Sequence, residues 1–406
     1  MRSSQPRVVA VLPGLIPSTM ISVVKPFTQL HSAGIVSAKI CLEAFVTTRD
    51  LAGADLVVFC RNTEPKYSHC LNFVLSKRIP YIYDLDDNFF EITGNSDIAL
   101  YHRSPARLAL LKRYVAGANL VRVYSDELLV RIQEINPNVE KVTGPIDLRL
   151  IPETTNRPNH GRTRLVYATS RSGDDEFEDV YVPPLIRILG EYSGQIEMHF
   201  WGHQPQKLRG RDGVHYHSPI WDYDRFLHEF AKSAYDIGLA PMHDDTFSRS
   251  KSNNKFREYG GCGIAGVYSR VKVYTDCIED GETGLLAANN PEEWHSAIVR
   301  LIEDEQLRKR IQRKSREYVQ SHYSQRVFEK VWYDQIRRVL ELDPHKTGFV
   351  ELKREEEALV DNRPSLIHLL GFSAHFLEVA GSVRSRNFQA MLTALISYIR
   401  IRIRMR

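Results

Sequence analysis

The sequence predicts an α/β protein built from two successive halves, each an open parallel sheet covered by helices. Three observations carry this. Short continuous apolar runs alternate with stretches of helical periodicity, the alternation restarts after a polar linker, and 406 residues exceed what one hydrophobic core usually supports.

In the first half, Val8 to Leu12 is an unbroken apolar run closed by Pro13-Gly14, as expected of a strand buried on both faces. A helix is expected over Val23 to Ala33 and a second strand over Ile35 to Ile40. Asp55 to Cys60 reads as a strand ended by Arg61-Asn62, and Tyr67 to Lys77 as a helix. Ile79 to Tyr83 is a further strand running into Asp84-Leu85-Asp86-Asp87. Helical Pro105 to Ala116 precedes the strand Leu120 to Tyr124, and Ser125 is placed to cap the helix Asp126 to Ile135. Asn156 to Arg162, with Pro158 and Gly161, reads as the linker.

The second half opens with the strand Leu165 to Ala168 and the helix Val182 to Tyr192. Ile196 to Trp201 follows as a strand closed by Gly202, then a short strand at Val214 to Tyr216 and a helix at Phe226 to Ala234. Asp236 to Pro241 is a strand ending in a loop, Lys255 to Gly261 a helix, and Gly266 to Ser269 extended. The expected organisation is 1–155 as first domain, 162–322 as second, a return helix over 323–343, and a basic helical extension over 344–406. Two such halves place a cleft between them, and ligands bind outside the carboxyl ends of the strands.

Composition narrows the class. Apolar residues make up 43% and charged residues 26%, and the net charge of +4 gives no argument for a nucleic-acid partner. Five cysteines form no CxxC pair and no zinc spacing, which fits a reducing compartment. No signal-peptide core precedes Val8, and no apolar stretch reaches the ~20 residues of a membrane span, so a cytoplasmic location is expected. No GxGxxG follows Val8 to Leu12 or Leu165 to Ala168, which disfavours a nicotinamide enzyme. The histidines, His199, His203, His215 and His217 among them, show no metal-like helical spacing and are treated as scattered.

The most informative stretch runs from Tyr235 to Trp294. It contains Asp236-Ile237-Gly238-Leu239-Ala240-Pro241, Ser250-Lys251-Ser252-Asn253-Asn254-Lys255-Phe256-Arg257-Glu258-Tyr259-Gly260-Gly261-Cys262-Gly263, Asp280-Gly281-Glu282-Thr283-Gly284-Leu285 and Glu292-Glu293-Trp294. This resembles the donor-binding half of the group 1 glycosyltransferases, retaining family-four-like enzymes of the GT-B fold with two Rossmann-like domains. It looks closest to the bacterial branch with Ser-x4-Lys-x2-Glu-Tyr before a small-residue turn.

The resemblance implies a metal-free reaction on a nucleotide-sugar donor, with no cofactor. Cationic side chains and helix N-termini neutralise the diphosphate. Lys255 is then the first phosphate ligand and Arg171 the second; the bland alternative for Lys255 is a solvated surface lysine. Glu258 lies on the same helix face as Lys255 and by resemblance accepts hydrogen bonds from ribose hydroxyls. Gly261 and its neighbours either let backbone approach the ligand or let helix and strand pack tightly. Tyr259, Ser250, Ser252 and Gly202 are assigned to the donor side with them. Thr283 resembles the family's loop near the nucleotide, or serves as a plain turn residue. Much of the family has a glutamate where this chain has Ser250, and a proline where it has Ala265.

On the acceptor side, Asp84, Asp86 and Asp87 follow a buried strand. Asp84 and Asp87 are assigned with the catalytic group, and Asp86, Gly14, Ser18 and His102 to the acceptor. Binding acceptor hydroxyls, capping the next segment, and holding a divalent metal are the three readings of the aspartates, and no metal is assigned. The expected partners are a nucleotide sugar and a glycan or lipid-linked acceptor in bacterial surface polysaccharide synthesis. Phe388, Met391, Leu392, Leu395, Ile396 and Ile399 recur at helical spacing between arginines, so 384–406 is expected to contact either an anionic membrane surface or another protein surface. Two competing readings remain: a GT-B-like scaffold without transfer activity, motivated by Ser250, and a sugar-nucleotide epimerase.

Overall fold

The computed structural model describes residues 5–93, 97–152, 161–169, 177–220 and 222–341. The described residues divide into two compact units, one drawn from 5–144, 250–252 and 328–341, the other from 145–249 and 253–327.

The first unit has six strands, β1 (Arg7–Leu12), β2 (Ser37–Leu42), β3 (Leu56–Cys60), β4 (Tyr81–Leu85), β5 (Leu120–Val123) and β6 (Val139–Lys141). They form one parallel sheet in the order β2-β1-β3-β4-β5-β6. Helices α1 (Lys25–Ser32), α2 (Ser68–Ser76), α3 (Pro105–Gly117) and α4 (Asp126–Gln133) supply the crossovers. The continuous apolar runs have a direct cause. Val8, Ala10 and Leu12 of β1 enter one apolar cluster with Val23 and Phe27, while Val9 and Val11 enter another with Leu71 and Tyr114. Both faces are covered, so neither face of the strand is polar. Ser125 caps α4 as expected, its Oγ accepting from the Leu128 amide.

The second unit repeats the plan with β7 (Thr163–Ala168), β8 (Ile196–Trp201), β9 (Val214–His217), β10 (Ile237–Ala240), β11 (Ala265–Ser269) and β12 (Leu285–Ala287), all parallel, in the order β12-β11-β10-β7-β8-β9. Its principal helices are α5 (Val182–Glu191), α6 (Tyr223–Lys232), α7 (Asn254–Cys262), α8 (Pro291–Glu303) and α9 (Glu305–Tyr323). A last helix, α10 (Gln325–Glu341), returns the chain to the first unit, where Phe328, Trp332, Ile336 and Val339 join the cluster around Phe27.

Several boundaries differ from the sequence expectation: β2 and β4 each end two residues later, which puts Asp84 inside β4 rather than after it, and α6 starts at Tyr223 rather than Phe226. The return helix begins at Gln325 rather than Tyr323, which instead closes α9. Ser324 between them is extended and bridges to Ile146, and the Tyr323 carbonyl accepts from the Ile146 amide. That tertiary pairing interrupts a helical pattern that is continuous in sequence. Among the described residues, no helix is long and apolar enough to cross a membrane. The extension over 344–406 and the greater part of the 156–162 linker lie outside the described residues.

Candidate active site

In the second unit Lys255 and Glu258, the residues assigned to the donor, are carried by α7, which follows the loop after β10. Asn253 stands at its N-cap, Lys255 is in its first turn, and Gly263, at φ 65°, ends it in the left-handed conformation. Phe256 and Tyr259 fix the helix in the core. Two glycines bring it close to its neighbours: a Cβ on Gly260 would come within 2.7 Å of Val319 of α9, and one on Gly261 within 2.9 Å of Ile146. Lys255 Nζ lies 2.6 Å from Glu258 Oε2, and Glu258 Oε1 accepts from the Tyr223 hydroxyl at 3.4 Å. Glu258 is buried, whereas a quarter of the Lys255 side chain remains exposed. A carboxylate fixed on one oxygen by an ammonium and only weakly held on the other can still accept from a ligand hydroxyl.

Several other donor-side assignments take different positions. Tyr259 is fully buried and its hydroxyl donates to the Leu239 carbonyl at 2.7 Å, so it is a core residue. Gly261 faces Ile146, Leu148 and Ile151, and of its two readings tight packing accounts for the glycine. Thr283 closes a turn, its Oγ1 accepting from the Glu279 amide at 2.9 Å, as a plain turn residue does. Ser250 and Ser252 count to the first unit. There Ser250 is fully buried: its Oγ accepts from Asn88 at 3.2 Å and its carbonyl from Ser125 Oγ at 2.9 Å. Gly202, at φ 76°, makes the turn at the carboxyl end of β8. Arg171 lies outside the described residues.

At the carboxyl ends of the first sheet the structure brings together more charge than the sequence suggested. Asp84 is the last residue but one of β4, fully buried, and directly opposite Arg122 of β5 in the parallel register. Its carboxylate accepts from the Tyr124 hydroxyl at 2.9 Å and lies 3.6 Å from Arg122 Nη1. The Cys60 thiol lies 3.5 Å from it. Burial pushes the Asp84 carboxyl above the usual carboxylate range, and Arg122 opposes that. Arg122 itself stacks 3.3 Å from the Trp332 ring of α10, whose indole donates to the Ser22 carbonyl. The Asp84 oxygens are thus enclosed by Tyr124, Arg122 and Cys60.

Asp86 and Asp87, by contrast, are partly exposed, and Arg61 Nη1 reaches both, at 2.9 Å from Asp87 Oδ2. Arg61 has φ 59°, a conformation uncommon outside glycine, with its amide bonded to the Asp84 carbonyl and its guanidinium over the Phe89 ring. Enclosure raises the Asp86 carboxyl, and Arg61 and a hydrogen bond from Ser18 pull it back. Gly14 accepts from Thr19 Oγ1 at 2.7 Å, which shapes the loop after β1. His102 is buried and stacked on Phe89 with ring centroids 4.2 Å apart, so the histidine forms part of the wall. Glu43, after β2, is held by Asn62 at 2.6 Å, and burial pushes its carboxyl up to about 8.

Sequence reasoning passed over Arg61, Glu43, Arg122 and Tyr223. Two of them carried a signal. Arg122 interrupts an otherwise apolar strand, and an arginine buried in a sheet requires a facing carboxylate; Arg61 is the first polar residue at a strand's carboxyl end. A cavity of about 320 Å³ bordered by Arg162, Ile196 and Gly213 lies at the amino ends of β7 to β9, the end of such a sheet that does not ordinarily bind ligand.

Residues 184–330 match a family model described as glycosyl transferase-like. No curated protein sequence matches the chain. Among solved structures it is similar to Anabaena Alr3699/HepE in complex with UDP-glucose, at 14% identity over 82% of this chain and 99% of that one, with a TM-score of 0.57. It is similar to sucrose-phosphate synthase from Thermosynechococcus elongatus at 14% identity, 82% and 99% coverage, and a TM-score of 0.61. A glycosyltransferase from Rickettsia africae gives 12%, 84%, 100% and 0.60. At such identities the likeness is one of fold. The likeness along both units gives the chain the GT-B fold of two Rossmann-like domains, and within it residues 184–330 are glycosyl transferase-like.

Proposed function

We propose that this protein moves a sugar from a nucleotide-sugar donor to a hydroxyl of a glycan or lipid-linked glycan, with retention of the anomeric configuration, in bacterial surface polysaccharide synthesis. The observation that supports it most is the Lys255–Glu258 pair at 2.6 Å in the first turns of α7, a cation and a carboxylate presented together at a helix N-terminus. In this reading Lys255, together with Arg171, stabilises the departing diphosphate, and Glu258 accepts from the ribose hydroxyls.

The bond between the anomeric carbon and the phosphate oxygen breaks while that carbon bonds to the acceptor oxygen on the same face. The acceptor proton passes to the leaving phosphate, so no strong protein base is required. Asp86, Asp87 and Ser18 contact the acceptor, with Arg61 fixing both carboxylates. Asp84 positions that loop through Arg122 rather than touching substrate. Alr3699/HepE binds UDP-glucose, so a UDP-sugar is the first donor to test.

The test is thermal-shift stabilisation by UDP-, GDP-, dTDP- and CMP-sugars, repeated with Lys255→Ala and with a chelator. A donor at a hundred times its dissociation constant adds about 2.7 kcal/mol. A single hit lost in the variant and indifferent to chelator supports the reading; no hit in the panel overturns it. The anomeric configuration of the product, read by NMR, decides retention, and an inverted linkage overturns that part. Residues 384–406 are proposed to hold the protein at the cytoplasmic face of the membrane. Co-sedimentation with vesicles containing phosphatidylglycerol, lost on deletion of 384–406, tests it.

A further inference from the structure

Treating the histidines as scattered is overturned by the second sheet. The spacing that matters is two along a strand and one across it, not that of a helix. In β8 the side chains of Met198 and Phe200 enter the apolar cluster beneath the sheet, which turns Glu197, His199 and Trp201 to the other face. In β9, His199 stands opposite His215 and Trp201 opposite His217. Parallel partners share a face, so Glu197, His199, His215 and His217 converge on one surface at the outer edge of the sheet.

Ligand-type atoms of Glu197, His199 and His215 all lie within 4.8 Å of one another. Glu197 Oε2 is 3.4 Å from His199 Nε2, and roughly 3.3–3.4 Å is the ligand-to-ligand edge of a tetrahedral site with bonds near 2.0–2.1 Å. The protonation of His199 suits ligation. Its Nε2 lies 3.3 Å from Arg164 Nε, which can only donate, so the Nε2 lone pair is the acceptor. The ring proton is then on Nδ1, which donates to His217 Nε2 at 3.0 Å. A ligating imidazole with its far nitrogen held by a partner is the usual arrangement at metal centres. His199 is buried, whereas His215 is exposed on the edge strand and its ring can turn toward the ion.

We propose that Glu197, His199 and His215 bind a divalent transition-metal ion of the zinc class, which pins the edge strand β9 to β8. Two imidazoles and one carboxylate select zinc, nickel or copper over magnesium. Arg164 Nε, 3.3 Å from His199 Nε2 and 3.5 Å from Glu197 Oε2, competes with an ion for both ligand atoms. Binding therefore displaces the guanidinium, which swings out from the site, and Arg164 lowers the affinity by competing.

The experiment uses the untagged full chain, stripped with a chelator and dialysed, titrated with ZnCl2 by calorimetry and followed by thermal shift. One equivalent is expected to bind and to raise Tm, with MgCl2 having no effect. His215→Ala, an exposed change that leaves the core intact, is expected to weaken binding more than about 100-fold, and His199→Ala likewise. His228→Ala, elsewhere on the second unit, leaves it unchanged. Arg164→Gln is expected to tighten binding about tenfold by removing a competing charge. No zinc binding, or binding that His215→Ala and His199→Ala both leave intact, overturns the proposal. Tightening in Arg164→Gln without loss in His215→Ala places the ion elsewhere and overturns it equally.

Discussion

The two six-stranded parallel sheets share one plan but treat charge in opposite ways. In the first, charge enters the sheet itself: Asp84 and Arg122 face each other across β4 and β5 with no exposure, and Glu43 and Arg61 are buried just past the ends of β2 and β3. In the second, β10 and β11, which lead to α7, carry no charged side chain, and the buried charge beside them sits on α7, as Arg257 and Glu258. Arg164, Glu197 and His199 gather on β7 and β8 at the other side of that sheet. The difference is one of support. A carboxylate within a sheet needs a dedicated counter-ion and hydrogen bonds to remain there, whereas a helix N-terminus supplies partial positive charge and amide donors on its own.

The most severe way to break the comparison is to remove the counter-ion of the first sheet. Arg122→Met leaves Asp84 buried and unpaired, and should cost about 3–5 kcal/mol in denaturant unfolding. Adding Asp84→Asn should recover most of that loss. If the double variant is as unstable as the single one, the pair is not what the arginine serves.

Lys255→Ala tests the second unit, where it removes the partly exposed ammonium from buried Glu258, which keeps the Tyr223 hydroxyl. Turnover should fall about 10²–10³-fold, with a smaller loss of stability than in Arg122→Met because Lys255 is partly exposed. A large loss of stability with intact turnover would reverse the roles assigned to the two units.

Gly238→Ala tests how closely the second sheet approaches its helix. A Cβ there would come within 2.5 Å of the Tyr259 ring, and about 1–3 kcal/mol of destabilisation is expected, read by urea melts.

The smallest effect concerns pH. Glu43 rises from about 4.5 to about 8 in the folded protein through burial. The native state therefore holds this proton more tightly than the unfolded chain. The associated stability is fully present below about 4.5 and is lost as pH rises toward 8. Glu43→Gln keeps an acceptor for Asn62 and has no proton to lose. Its advantage over the parent should widen by about 1–2 kcal/mol between pH 5 and pH 8, less than the full shift because water reaches the ionised carboxylate. A constant gap across that range would remove Glu43 from the buried groups.

Much of the fold was legible because each unit buries both faces of a parallel sheet, which forces long apolar runs such as Val8 to Leu12 and Leu165 to Ala168. The cap at Ser125 was legible because capping is local. Lys255 and Glu258 were recognisable because three residues along a helix fix their proximity whatever surrounds them. Tyr259 and Gly261 lie in the same motif, yet one is core and the other a packing contact, since only the neighbours Leu239 and Ile146 reveal which way they face.

The sequence by itself determined two α/β units, most of their strands and helices in order though not β6, α8 and α9, and the local pair at the start of α7. Register across strands was decided only by the tertiary structure. Register sets Asp84 against Arg122, sets His199 against His215, and turns three consecutive-looking aspartates into one buried support and two partly exposed carboxylates held by Arg61. The physical reason is that local periodicity fixes which side of an element a residue occupies, while charge, burial and ligation depend on the partner brought beside it by chain segments far away in sequence.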